Sequence, residues 1–129
     1  MWTNAQSDEL VPAVAGLFNS IPEGASHVFW YAWREQELPD AAISVQGHLY
    51  LAAFAGWTDP DQDAEMLAWP PDQMRNLEPL SRGIQLADEN LLRRPARFLT
   101  DENRERLETL RATHDPHGRF LSYLMPEGQ

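Results

Sequence analysis

Two short runs of aromatic and apolar residues constrain the fold of this chain more than any other feature. They are Ser26–Trp33, SHVFWYAW, and His48–Trp57, HLYLAAFAGW. Short runs with this composition predict β-strands. Apolar residues occupy both alternating faces of the second run, which is typical of a central strand that is covered on both sides. A third candidate strand, Ala42–Val45, precedes it, and the intervening Gln46-Gly47 suggests a hairpin turn.

Prolines define the expected limits of the helix that follows these strands. Thr58-Asp59-Pro60 predicts its start, because a capping residue is followed by proline at the first helical position. The apolar pattern continues to about Trp69. Pro70-Pro71 is then expected to break the helix, since proline has no backbone N–H to donate. A second helical piece, Asp72–Leu77, is expected to continue in a bent direction.

A further helix and a further strand are predicted on either side of this region. Apolar residues recur at helical spacing over residues 8–19. Pro12 indicates that the regular helix begins near Val11, because proline is tolerated in the first turn of a helix. Near the other end of the chain, Arg82–Asp88, RGIQLAD, is predicted to form the last strand.

The closing stretch combines a capped helix with a turn that contains proline. Thr100 is a good N-cap, because its side-chain oxygen can accept a hydrogen bond from the first turn. Leu107 and Leu110 mark the expected buried stripe. Pro116 is expected to end the helix, since the residue before a proline is disfavoured in helical geometry. Phe120 is the next large apolar residue and is expected to pack back onto the domain.

These elements predict an α+β fold. The expected arrangement is a ferredoxin-like antiparallel sheet of about four strands with helices mainly on one face. The 129 residues are enough for a single domain, 1–129, with one core.

Charge and composition exclude several classes of function. The chain has 20 acidic residues and 10 basic residues, which gives a net charge of −10. Nucleic acids and anionic membranes need a basic surface, so neither is an expected partner. There is no cysteine, which excludes a disulfide and a thiolate nucleophile. No signal peptide or apolar run of membrane-spanning length is visible, and the expected localisation is cytoplasmic.

Three polar groupings are better explained as local structure than as sites. His114-Asp115-Pro116-His117 lacks a third ligand and a shared helical face, so no metal site is predicted. The acidic residues from Asp59 to Glu65 suit a helix N-terminus better than a calcium loop. Arg93, Arg94 and Arg97 could bind an anion, but in so acidic a chain they are expected to pair with nearby carboxylates. No catalytic residue is nominated.

Three segments point to a known family when they are taken in order. Ala55–Trp69, AGWTDPDQDAEMLAW, joins a strand that ends in Trp to a helix that starts at proline and contains Ala-Trp. Glu78–Asn90, EPLSRGIQLADEN, has a helix end, a Gly and a predicted strand. Asn103–Phe120, NRERLETLRATHDPHGRF, has an Asn, an Arg-Leu and a helix that runs into Asp-Pro and a Phe. Together they resemble the C-terminal part of FAD-linked oxidases of the berberine-bridge-enzyme-like group.

The resemblance implies two portions, a substrate cap over residues 1–99 and a berberine-bridge-like C-terminal segment over residues 100–129. In that family the sheet of the cap lies over the isoalloxazine ring and lines the substrate pocket. Intact members are several times longer, and FAD is carried by an N-terminal domain to which nothing in this chain is similar. FAD is therefore implied by the family, but we expect this chain alone not to bind it.

The chain departs from the family pattern beside the expected flavin. The family strand usually reads Gly-x-Tyr-x-Asn, whereas Gly83–Ala87 reads GIQLA. The resemblance implies that Gln85 or Asn90 takes over the contact of the missing Asn, and it also places Asn103 near the flavin. His114 stands where the family usually has Tyr.

The leading hypothesis is the cap and C-terminal portion of a FAD-dependent oxidoreductase, which is inactive without a flavin-binding domain or subunit. Its substrate pocket is predicted to be lined by Trp30, Tyr50 and Phe54. The alternative is a stand-alone ferredoxin-like homodimer that closes around a small apolar ligand. A third hypothesis is a subunit that binds a separate flavin-carrying chain.

Overall fold

The fold is a small α+β arrangement built around an antiparallel sheet. The computed structural model describes residues 1–34, 36 and 44–120. Within them lie, in chain order, β1 (Trp2–Thr3), α1 (Ser7–Asn19), β2 (His27–Ala32), β3 (Leu49–Phe54), α2 (Asp63–Asn76) and α3 (Asp101–His114). Three short 3-10 helices cover Pro60–Gln62, Glu78–Leu80 and Leu86–Asp88. The predicted α+β class is confirmed.

The sheet has β3 at its centre. The described strands lie in the order β1-β3-β2, and both pairings are antiparallel. Tyr50 lies opposite Tyr31 of β2 and opposite Trp2 of β1. The predicted central strand is therefore confirmed. β1 was not predicted, because two residues are too few to show an alternating pattern.

The described residues contain three strands rather than four. Arg82–Asp88 was predicted as a strand, and this prediction is wrong. Gly83 makes a single bridge to Trp2, and the chain then turns into the 3-10 helix Leu86–Asp88. Ala42 and Ile43 lie outside the described residues, and residues 44–47 are not part of a strand, so the predicted strand Ala42–Val45 and its hairpin at Gln46-Gly47 stay predictions. The ferredoxin-like arrangement stays a prediction.

One face of the sheet packs against α1 and α2. Leu51 at the centre of β3 is fully buried there. It belongs to a core cluster that takes residues from both helices, namely Met1, Leu10, Val14, Leu17, Leu51, Trp69, Met74 and Leu77. Burial of these apolar side chains is the main stabilising contribution on this face. α3 instead contributes only Leu107 to a separate small cluster around Ile84, Phe98 and Leu99.

Prolines interrupt the helices less than the sequence suggests. α1 begins at Ser7 with Pro12 inside it, and α2 runs unbroken through Pro70-Pro71. The expected break in α2 is therefore wrong. Pro71 cannot donate to the Leu67 carbonyl one turn earlier, and Arg93 Nη1 approaches that oxygen at 3.4 Å instead. A distant arginine thus satisfies a carbonyl that the proline leaves without a partner.

The predicted helix caps are confirmed. Asp59 accepts a hydrogen bond from the Asp61 N–H at 3.1 Å, with Pro60 at the first helical position. Thr100 Oγ1 accepts from the Asn103 N–H at 3.3 Å. These signals are local and depend on neighbours in the sequence, which is why they can be recognised without a structure.

The closing segment packs less than expected. α3 ends at His114, as Pro116 predicts, but it has no buried residue. Leu110 is 46% exposed and Phe120 is 73% exposed, so the expected buried stripe at Leu110 and the aromatic anchor at Phe120 are wrong for the described residues. The turn is held instead by Asp115, whose carboxylate accepts from the N–H groups of Arg119 and Phe120 at 2.7 and 2.9 Å. These two hydrogen bonds lower the pKa of Asp115.

Candidate functional site

The sheet face opposite α1 and α2 is rich in aromatic side chains. Side chains alternate along a strand, and the residues of this face are Trp2, Phe29, Tyr31, Trp33, Tyr50 and Phe54. Below they are called the aromatic face. Their rings contact one another, with centroid distances of 4.6 Å for Trp2–Tyr50 and 5.3 Å for Phe29–Tyr31. Phe29 and Trp33 are 48% and 41% exposed. The face is therefore an aromatic surface that is only partly covered by the described residues.

Tyr50 connects this face to the 3-10 helix Leu86–Asp88. Its ring is buried, and its hydroxyl donates to Asp88 Oδ2 at 2.8 Å. Burial raises the pKa of Tyr50 above its usual range, and the hydrogen bond to the Asp88 carboxylate raises it further. Tyr50 therefore remains a neutral hydrogen-bond donor at physiological pH.

We expect Tyr50→Phe to lower the free energy of unfolding by about 1–2 kcal/mol, because a hydrogen bond to a charged group is lost while the ring is kept. Tyr31→Phe is the matched control. Tyr31 lies on the same face, and its hydroxyl has no partner among the described residues, so its loss should cost less than about 0.5 kcal/mol. Urea unfolding of both variants measures the difference. Equal stabilities would show that the Tyr50–Asp88 contact contributes nothing.

A cleft of about 220 Å³ opens at the edge of β3. Its floor is the second half of β3 and the residues that follow, Ala52–Ala55. One wall comes from α2, with Met66, Pro70 and Met74, and the other comes from residues 88–93. Arg93 joins the walls through its contact with the Leu67 carbonyl, and Arg75 Nη2 donates to the Arg93 carbonyl at 3.0 Å. The cleft is thus mostly apolar, with polar groups along one side.

The three predicted pocket residues do not converge on one cavity. Phe54 lines the cleft. Tyr50 belongs to the aromatic face and is buried. Trp30 has its partner Leu51 on the opposite, helix-covered face, where its ring meets Phe18 at 5.6 Å. Tyr50 and Phe54 therefore share the aromatic face, and Trp30 lies on the opposite face of the sheet.

The residues expected near the flavin are also separated. Asn90 lines the cleft beside Asp88 and Glu89. Gln85 precedes the 3-10 helix Leu86–Asp88, and Asn103 lies in the first turn of α3. Of Gln85, Asn90 and Asn103, Asn90 lines the described cleft together with Phe54.

The arginines of the 93–97 segment are engaged locally. Arg94 is 2% exposed and contacts two carboxylates, Glu89 at 2.6 Å and Glu78. Arg97 lies 3.4 Å from Asp101. Pairing of these two arginines with nearby carboxylates is therefore confirmed. Burial raises the pKa of Glu89, and the Arg94 guanidinium opposes that shift.

No grouping of three histidine, cysteine or acidic side chains suited to a metal ion is found within residues 1–34, 36 and 44–120. The same residues include no helix with the length and apolar character of a membrane span.

Comparison with known proteins gives relatives of one kind. The chain is 26% identical over 122 residues to the FAD-linked oxidoreductase nodO of Hypoxylon pulicicidum, which covers 92% of this chain and 27% of nodO. It is 31% identical over 115 residues to the FAD-linked oxidoreductases ptmO of Penicillium ochrochloron and penO of Penicillium crustosum, in each case over 87% of this chain and 26% of the relative. No family model matches the chain, and no solved structure matches it.

By these matches the chain is similar to one part of the FAD-linked oxidases, their C-terminal-like region. It spans about a quarter of the length of the curated relatives that it matches.

Proposed function

We propose that this chain is the substrate-cap and C-terminal portion of a FAD-dependent oxidoreductase of the berberine-bridge-enzyme-like group. Residues 1–99 act as the cap and residues 100–129 as the closing segment, together in one domain. The observation that carries the proposal is the partly exposed aromatic face, which in a cap sheet is the surface expected to lie over the flavin ring. The proposal includes the cytoplasmic localisation expected from the sequence.

The aromatic face fits the ring end of a flavin, and we assign the phosphates to a separate flavin-binding domain or subunit. Phe29 and Trp33 offer exposed ring surfaces, and aromatic groups pack well against flat ligands. A pyrophosphate needs a glycine-rich backbone cradle or free cations, and the sequence contains no such glycine motif. Arg94 and Arg97 are already paired with carboxylates. A flavin-binding domain or subunit would therefore hold the cofactor.

In this proposal the flavin supplies the redox chemistry when it is bound, and this chain supplies orientation and exclusion of water. The aromatic face covers the substrate from one side. Tyr50 stays protonated because of its burial and its contact with Asp88, so it strengthens the face without adding charge. Asn90 provides a polar group at the border between this face and the cleft.

The test is a chimera in which the 115 matched residues of ptmO are replaced by the corresponding residues of this chain. We expect the chimera to purify with bound FAD and the isolated 129-residue chain to show no flavin absorbance. Phe29→Asp in the chimera should lower flavin retention or change its fluorescence by about tenfold, because it places a charge on the aromatic face. Phe18→Asp is the control, since Phe18 lies on the helix-covered side.

Two results would contradict the proposal. One is FAD binding with turnover by the isolated chain. The other is a folded chimera in which Phe29→Asp and Phe18→Asp affect the flavin equally. A stable homodimer of the isolated chain that takes up a small apolar dye would instead favour the ligand-binding alternative.

A further inference from the structure

The edge of β3 that faces β1 is unpaired over part of its length among the described residues, and it is a candidate binding surface for a partner of this domain. β1 pairs with only the first part of β3, where Trp2 and Thr3 lie opposite Tyr50 and Leu49. Met1 completes the ladder, because the Leu51 N–H donates to its carbonyl at 2.9 Å and its own nitrogen donates to the Leu51 carbonyl. Beyond Leu51, no described strand pairs with this side of β3.

Ala53 is the next residue whose backbone groups point to the open side. Backbone N–H and C=O groups alternate between the two sides of a strand, so Ala53 repeats the orientation of Leu51. The cleft lies against Ala53, and Met1 is among the residues that line it. The cleft therefore continues the line of β1 along the edge of the sheet.

We propose that this edge is a β-augmentation site that accepts an extended segment of the flavin-carrying polypeptide, antiparallel to β3. The segment would pair its backbone with Ala53 in the register that β1 already sets with Leu51. Unpaired edges of this kind are templates for strand addition. The identity of the partner rests on the proposed function. The presence of an unpaired edge does not depend on it.

The walls of the cleft define the chemistry of the occupant. A residue opposite Ala53 would share its face and point toward Met66, Pro70 and Met74 of α2, so it should be apolar. Its two neighbours would point to the other wall, where Asp88 and Asn90 lie. Those neighbours should be polar and able to donate hydrogen bonds to a carboxylate. The expected segment therefore alternates polar and apolar residues, and it would add a fourth strand to the three described.

A pair of isomeric N-terminal extensions of the full chain tests the edge without any flavin. Thr-Thr-Pro-Val-Thr placed before Met1 puts valine opposite Ala53 and proline at a position whose nitrogen faces away from β3. Thr-Thr-Val-Pro-Thr has the same composition, but its proline lies opposite Ala53 and cannot donate to the Ala53 carbonyl. Both extensions replace the Met1 ammonium by an amide, so that change cancels in the comparison.

We expect the Ala53 amide to exchange with deuterium at least about tenfold more slowly in the first extended chain than in the second. Equal exchange rates in the two chains would overturn the augmentation site. NMR resolves the amide, and the Leu51 amide, which is already bonded to Met1, is the internal reference.

The ptmO chimera tests the identity of the occupant. The Ala53 amide should exchange at least about tenfold more slowly in the flavin-loaded chimera than in the isolated chain. Unchanged exchange in a folded, flavin-loaded chimera would show that the flavin-carrying polypeptide does not occupy the edge. A chimera without flavin, combined with protection in the first extended chain, would instead contradict the proposed function and leave the edge site standing.

Discussion

Replacing Gly83 with alanine is expected to lower the free energy of unfolding by about 3 kcal/mol or more. Gly83 is buried and has a φ of 143°, a backbone conformation that residues with a Cβ rarely adopt. An added Cβ would lie 2.4 Å from the Arg97 carbonyl oxygen and 2.7 Å from Val45 Cγ1. The backbone cannot move away easily, because the Gly83 carbonyl accepts from the Trp2 N–H at 2.7 Å and the Ile84 N–H donates to Arg97 at 2.7 Å.

Gly16→Ala is the control for this experiment. Gly16 lies within α1, and an added Cβ would meet nothing within 4 Å. Alanine favours a helix over glycine, so this variant should gain about 0.5–1 kcal/mol. Urea unfolding monitored by circular dichroism measures both variants. A Gly83→Ala protein as stable as the parent would show that the close approach between residues 83 and 97 is not required for folding.

Features that depend on local interactions could be predicted from the sequence. Thr100 and Asp59 cap their helices through neighbours two or three residues away. The central position of β3 was predictable because apolar residues on both of its faces require cover on both sides. These features depend on residue type and short spacing alone.

Features that depend on contacts with a distant segment could not be predicted. The helix through Pro70-Pro71 has Arg93 at the freed Leu67 carbonyl, more than twenty residues away in the sequence. Gly83 was placed in a strand, yet it makes a single bridge to Trp2, and the backbone then turns away. No local pattern contains these contacts, so propensity and spacing could not predict them.

The candidate site was predictable in composition but not in arrangement. The aromatic runs of the two predicted strands are visible in the sequence, and Phe29 and Trp33 of these runs are exposed in the structure. Which residues share that face depends on the register of β2 against β3, where Tyr31 lies opposite Tyr50 and Trp30 lies opposite Leu51. A shift of one residue would move every side chain of β2 to the other face.

Replacing Arg94 with methionine is expected to cost about 3–5 kcal/mol of stability, because it leaves buried carboxylate charge without its partner. Arg94 is almost completely buried and contacts Glu89 at 2.6 Å as well as Glu78. Arg104→Met is the control. Arg104 lies 3.5 Å from the exposed Asp101, and such surface pairs contribute about 0–1 kcal/mol. Comparable losses in the two variants would contradict the structural role assigned to Arg94.

The loss in Arg94→Met should also depend on pH and on Glu89. Burial already raises the pKa of Glu89, and removal of the guanidinium should raise it further. A carboxyl group with a pKa raised by folding binds more protons in the native state, so it destabilises the protein increasingly as pH rises through that range. The loss of unfolding free energy in the variant should therefore be larger at neutral than at acidic pH.

Adding Glu89→Gln to Arg94→Met should recover part of the stability and remove most of this pH dependence, because the uncompensated charge is then absent. A deficit that is constant with pH and unchanged by Glu89→Gln would indicate that Arg94 stabilises the fold through the packing of its aliphatic stem rather than through its charge.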